Sequence, residues 1–392
     1  MLLPALPRTS LFLIALIMLQ LPMQVAQAKA DGTVDMFASM HELAGDVQVL
    51  LPLFYGADQL DPADRALLSG TLKDMRTHVA NLTPLADSTA TYQISYEILA
   101  SQLEQAEGAL RQKRDAYALD LLRSAVSVCA TCHTQDAKPA TWLVPDAGRG
   151  SADSFVQGEF LFMTRQYDEA FIAYERWLRQ QEVLNDTARA RTAFERLLLT
   201  SLQLQKSPAS IARVINDFTQ GEGIADPLKT DLIAWREGLA ELQTLTDIRV
   251  KPDQDTLRAL AFRWLGDPAD RPGAHIYLPE VQRPQIVWLR GELYRALNEE
   301  TDPSAVPHWL YWLAVTDRLL EYRFYYSLAD LYLKQCMLEY SSSPIARQCY
   351  REYKNYLIFY NTGSSGTHLP VESRAELEML KSKVFRNSNE KE

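Results

Sequence analysis

Between Val34 and Gln135, apolar residues recur at helical spacing in four stretches of about 20 residues joined by short connections. The first carries Phe37, Met40, Ala44, Val47, Leu50, Leu51 and Phe54, and stops at Gly56 and Asp58. The second opens with Asp61-Pro62, an N-cap aspartate before a proline at the first helical position. It continues through Leu68, Leu72, Met75, Val79 and Leu82 to Pro84. The third runs Tyr92, Tyr96, Leu99, Leu103, Ala106 and Leu110; the fourth, after Arg114, runs Leu119, Leu122, Ala125, Val126 and Cys129. Connections this short make sequential helices antiparallel. The pattern predicts an all-α chain with an up-down-up-down four-helix bundle over residues 31–138.

The fourth stretch ends in Cys129-Ala130-Thr131-Cys132-His133. C-x-x-C-H is the attachment signature of a c-type haem. Two thiols bond to the haem vinyl groups, and the adjacent imidazole reaches the iron as an axial ligand. The predicted topology gathers the start of the first helix and the ends of the second and fourth, so Met40 and His78 share an end with this motif. Met40 lies on the inward stripe, whereas His41 is turned about 100° from it onto the outer face. Met40 is therefore the first candidate for the second axial side, His78 the next and His41 the third. A thiol redox pair or a zinc site also uses two cysteines, but neither needs the adjacent histidine, and zinc wants further ligands.

A haem motif near the end of a fourth helix, faced by a methionine on the first, resembles the cytochrome c′/cytochrome c556 group of four-helix-bundle cytochromes. The resemblance covers about a quarter of the chain. It implies one covalent haem c held by Cys129 and Cys132, with His133 as the proximal iron ligand. It also implies that Met40 either ligates the iron or crowds the distal side. Bundle cytochromes of this group often dimerise, so a homodimer is a further expectation.

Residues 1–30 read as a secretory signal, with 1–28 removed in the mature protein. Arg8 supplies the positive region, Leu11 to Leu21 the apolar core, and Ala26-Gln27-Ala28 or Ala28-Lys29-Ala30 the cleavage site. An uncleaved anchor is the alternative, although this apolar run is well short of the roughly 20 residues a membrane span needs. Export implies a periplasmic protein of a Gram-negative bacterium, with no membrane span once the signal is removed. The other two cysteines, Cys336 and Cys349, flank Ser341-Ser342-Ser343-Pro344 almost symmetrically. If that segment turns two antiparallel helices, an oxidising compartment joins them as a disulfide; two buried free thiols are the alternative.

Pro139, Pro145, Gly148 and Gly150 break the periodicity and mark a linker over 139–153. Beyond it, Gly158, Leu161, Tyr167, Ala170 and Tyr174 resemble the small-large pattern of a tetratricopeptide helix pair. Leu289 to Tyr294 echo it, as do Ala329, Tyr332, Ala346 and Tyr350. The period is irregular, so residues 154–386 read as a degenerate array or a generic helical domain, before a charged tail at 387–392. Further helices are expected at Thr187–Gln205, Pro208–Thr219, Pro227–Thr244 and Gln254–Leu265. Stacked hairpins leave a concave face for a partner. The aromatics from Trp309 to Tyr360, including Trp312, Tyr322, Phe324, Tyr325, Tyr326 and Tyr356, are either core or part of such a surface.

A net charge of −10 with no basic block argues against nucleic acid or an anionic membrane as partner. No HExxH, phosphate-cradling glycine loop or nucleophile triad is present, and His275, His308 and His368 are scattered. The sequence thus points to an exported monohaem electron carrier, not an enzyme, whose C-terminal helices dock a periplasmic redox partner. A five-coordinate haem protein that binds a small gas is one alternative. An interaction scaffold with an accessory haem is another.

Overall fold

The computed structural model describes residues 36–55, 59–82, 90–134, 153–180, 183, 185–204, 207–245, 247, 250–268, 277–300, 302–320, 327–364 and 366–386. The signal at 1–28, all of the 139–153 linker but its last residue, His275, the run from Tyr322 to Tyr326 and the tail at 387–392 lie outside these residues. The described chain is almost entirely helical, with one two-stranded ladder pairing Thr362 with Thr367 and Gly363 with Gly366.

The four N-terminal stripes form α1 (Met36–Phe54), α2 (Pro62–Asn81), α3 (Ala90–Arg111) and α4 (Asp115–His133). Each packs on the next and α1 also packs on α4, which closes a ring. Asp61 caps α2 by accepting the Asp64 N–H at 2.8 Å. Inside the ring, Leu50, Leu51, Phe54, Leu68, Leu72, Leu103, Leu119 and Leu122 are buried. Two polar contacts fix the helix directions. Arg65, near the start of α2, pairs with Asp115 at the start of α4. The Arg123 Nε–H, midway along α4, donates to the Phe54 carbonyl at the end of α1 at 2.6 Å.

The rest of the chain forms α5 (Ser154–Met163), α6 (Tyr167–Leu178), α7 (Thr187–Leu199), a π-helical turn (Thr200–Leu204), α8 (Pro208–Thr219), α9 (Asp226–Leu245) and α10 (Gln254–Leu265). A 3-10 turn (Glu280–Gln282) leads into α11 (Arg283–Glu299), α12 (Val306–Leu320), α13 (Ala329–Glu339), α14 (Pro344–Tyr360) and α15 (Val371–Val384). Consecutive helices pack as hairpins, α5 on α6 and then α11 to α14 in series. The disulfide joins Cys336 of α13 to Cys349 of α14 across the serine turn, with Cα atoms 6.5 Å apart. The dense aromatics divide where they are described: Trp309, Tyr311 and Trp312 are buried, Tyr356 is half-buried, and Phe359 and Tyr360 are exposed.

Glycines explain the close approaches. A Cβ on Gly158 would lie 2.7 Å from the Tyr174 ring, which is the small-large contact expected of the α5–α6 hairpin. Gly291 meets Gln203 of the π-helical turn instead, a contact between distant parts of the chain. A Cβ on Gly238 would overlap the Val281 carbonyl oxygen, a backbone obstacle. Gly238→Ala is therefore expected to cost about 1–3 kcal/mol and more than Gly158→Ala, because a ring swings aside more readily than a backbone shifts. Urea unfolding of the two variants checks this; an equal or smaller loss for Gly238→Ala would show that the 3-10 turn yields freely.

Candidate functional site

The C-x-x-C-H residues occupy the last turn and a half of α4. Cys129 and Cys132 are one turn apart on the same helical face, both half-buried and both free thiols. The Cys129 Sγ–H donates to the Ala125 carbonyl at 3.6 Å. Burial pushes the Cys129 thiol up to about 12, with the Cys132 sulfur adding to the effect, and burial raises Cys132 as well. That is the reverse of a C-x-x-C redox pair, whose attacking thiol is acidified. Among the described residues, no group of three or more His, Cys, Asp or Glu side chains gathers as a metal-ligand cluster.

His133 ends α4, and its ring turns toward α5. Nδ1–H donates to the Met163 carbonyl at 2.5 Å. A carbonyl can only accept, so Nδ1 carries the proton and Nε2 keeps its lone pair. Burial pushes His133 down to about 4, assisted by the Arg165 charge, so the imidazole is neutral near pH 7. Neutral imidazole with one nitrogen fixed and the other basic is the form that binds a metal.

The Met163 carbonyl is available for a local reason. A helix leaves its last four carbonyls without intrahelical partners. In α5 the turn that follows takes three of them. Thr164 N–H donates to Phe160 O at 3.0 Å, Gln166 N–H to Leu161 O at 2.8 Å and Arg165 N–H to Phe162 O at 3.1 Å. Arg165 reaches this arrangement at φ +64°, the left-handed conformation that commonly ends helices. Met163 O remains, and His133 fills it.

The arrangement is reciprocal, because α6 and the π-helical turn supply donors for the end of α4. The Tyr167 hydroxyl donates to the His133 carbonyl at 3.0 Å, and the Gln203 amide to the Thr134 carbonyl at 2.8 Å. Further along the same seam, Glu159 of α5 is fully buried and accepts from Tyr55 at 2.6 Å, Tyr174 at 2.5 Å and Arg196 at 3.1 Å. Phe155 meets the Tyr55 ring edge-on at 5.0 Å between centroids. The N-terminal ring and the C-terminal hairpins are thus packed against each other along α1, α4 and α5.

The other sequence candidates divide. Met40 is half-buried at the margin of the core on α1. Met40 lies 14 residues before Phe54 in α1 and His133 ten residues beyond Arg123 in α4, so in antiparallel helices both lie on the same side of that contact. Met40 thus belongs to the same end of the ring. His78 is held by carboxylates of α1, with Nδ1 2.7 Å from Asp46 and Nε2 3.5 Å from Glu42. Both ring nitrogens are directed across the α1–α2 contact, so His78 serves that contact rather than the α4 motif. His41 is exposed. His308 is half-buried at the start of α12, with burial and Arg258 lowering its basicity, and His368 is exposed beyond the ladder. Sequence reasoning missed Met163, Tyr167 as a donor, and Gln203, since nothing in the local pattern marks them.

Comparison of the chain with known protein families, with characterised proteins and with solved structures finds no match.

Proposed function

We propose that the chain is a monohaem c-type cytochrome that passes single electrons, with its N-terminal helices forming a haem-bearing four-helix bundle. The observation that carries this is the state of His133, which directly follows the free thiol Cys132: Nδ1 is committed to Met163, and Nε2 keeps its lone pair. In that reading Cys129 and Cys132 would hold the group covalently, and His133 and Met40 would supply a nitrogen and a sulfur to its iron. A bound haem supplies the one-electron iron couple. The chain's own part is to hold the proximal imidazole in one tautomer and one orientation.

Export to a periplasm is part of the proposal. It is supported by the signal-like N-terminus and by the Cys336–Cys349 disulfide, a bond that persists in oxidising compartments. No described helix is long and apolar enough to cross a membrane. With a net charge of −10, the fitting redox partner presents a basic face.

The test is the absorption spectrum of purified protein made alongside haem-attachment machinery, ferric and ferrous, with and without carbon monoxide. A methionine–iron charge-transfer band that disappears in Met40→Ala, with no response to carbon monoxide, is the expected result. A ferrous spectrum that shifts with carbon monoxide would remove Met40 from the iron and favour gas binding. A protein with no haem spectrum would overturn the proposal.

A further inference from the structure

We propose that Tyr167 and Gln203 are positioning residues for the haem ligand, so that the C-terminal helices set the electronic state of His133. This rests on the haem reading above. His133 contacts the C-terminal helices twice, through Nδ1–H to Met163 O and through its own carbonyl to the Tyr167 hydroxyl. Gln203 secures the next carbonyl, that of Thr134. These bonds come from three separate elements, α5, α6 and the π-helical turn, and all converge on His133, the last residue of α4, and Thr134 just past it.

The π-helical turn is part of the device. π-helical turns are rare and re-aim side chains relative to a regular helix. Here the turn carries Gln203, and its approach to α11 is possible only because Gly291 has no Cβ, which would sit 2.7 Å from Gln203 Cγ. Gln203 is buried. A chain of packed groups therefore runs from α11, through Gln203, to the residue next to His133.

The consequence for the ligand has a definite sign. A proximal imidazole that donates Nδ1–H to a carbonyl is a more basic ligand and favours the ferric state. The Met163 carbonyl is main chain and survives any substitution, but its alignment with His133 depends on the bonds from Tyr167 and Gln203 to the same helix end. Removing them loosens the Nδ1 bond, makes the imidazole less basic and favours the ferrous state.

The experiment compares full-length wild type, Tyr167→Phe, Gln203→Ala and the double variant, with Tyr353→Phe as control. Tyr353 gives up a comparable bond, to Glu376 at 2.7 Å, on the α14–α15 contact. Covalent haem is measured on denaturing gels, and the potential by spectroelectrochemical titration. The double variant is expected to keep its covalent haem and to show a three- to tenfold higher ferrous-to-ferric ratio at fixed solution potential. Tenfold corresponds to about 59 mV for one electron. If the double variant loads no haem, the single variants, each lacking one bond, carry the same test with a smaller shift. A haem-bearing double variant with the wild-type potential overturns the proposal, as does an equal shift in Tyr353→Phe. Absence of covalent haem from the wild type overturns the reading beneath it, and is distinguished by the gel alone.

Discussion

A protein with both Cys129 and Cys132 replaced by serine is expected to carry no covalent haem. Serine hydroxyls form no thioether with a vinyl group, and no other described cysteine is free, because Cys336 and Cys349 are bonded to each other. Each single serine variant keeps one attachment point and is expected to load at reduced yield. Haem staining after denaturing electrophoresis reads all three directly. Haem that stays with the chain in the double variant would show attachment elsewhere and sink the C-x-x-C-H assignment. The same proteins address the thiol-redox alternative. With Cys129 pushed up to about 12, the haem-free wild type is expected to react far more slowly with an alkylating agent at pH 7 than an acidified C-x-x-C thiol does.

Glu159→Ala should be the most damaging single substitution along the seam, at about 3–5 kcal/mol. Removing one partner from a buried ion pair leaves the other charge uncompensated in a low-dielectric interior. Arg196 loses its carboxylate, and the Tyr55 and Tyr174 hydroxyls lose their acceptor at the same stroke. Tyr55 lies just past α1, while the other three belong to the C-terminal helices, so the loss also weakens the contact between the two halves of the molecule. Burial opposes the charge on Glu159, but Arg196, Tyr174 and Tyr55 more than offset it and hold the carboxyl below its ordinary value. A carboxylate lowered on folding stabilises above the unfolded pKa, near 4.3, and that contribution disappears as pH falls through the folded value. Denaturant midpoints should therefore fall on acidification below about pH 4 in the wild type, with a shallower acid slope in Glu159→Ala. An unchanged midpoint at neutral pH would show that water or a neighbouring group replaces the carboxylate.

Where a local signal existed, the sequence was readable. Pro208 and the Asp253 cap mark the starts of α8 and α10, and both helices run to the ends expected of them, Thr219 and Leu265. The α2 stripe from Leu68 to Leu82 is buried throughout, as are Val47 to Phe54 of the α1 stripe, Leu99 to Leu110 of the α3 stripe and Leu119 to Val126 of the α4 stripe, with Leu43 added to the set. The symmetry of Cys336 and Cys349 about a serine turn announced their pairing. Gly158 against Tyr174 was legible because the small-large pattern is itself a packing rule.

What stayed hidden is long-range or main-chain. Met163 acts through a carbonyl, which every residue has, so its identity carries no signal. Glu159, Arg196, Arg290 and Asp317 are charged residues that a periodicity argument assigns to a solvated face. In the structure all four are buried, with Arg290 Nε 2.5 Å from Asp317 Oδ1. Each is buried because its partner comes from another helix, a fact absent from either segment alone. The same holds for Gly291, whose need for a missing Cβ arises from Gln203, a residue far earlier in the chain.

The reciprocal capping of α4 and α5 also bears on how such a molecule is made. On the haem reading, the ligand side chain lies under the last turn of α5, so the prosthetic group has to be installed while that face is still open. Synthesis runs in the favourable direction, since residues 115–133 emerge before 154–204 and are free for modification until the hairpins arrive to close over them. On the same reading the sulfurs would be sorted by chain order as well, with Cys129 and Cys132 made before Cys336 and Cys349. On that reading chain order would double as a maturation schedule, with the C-terminal helices as the closing step of assembly.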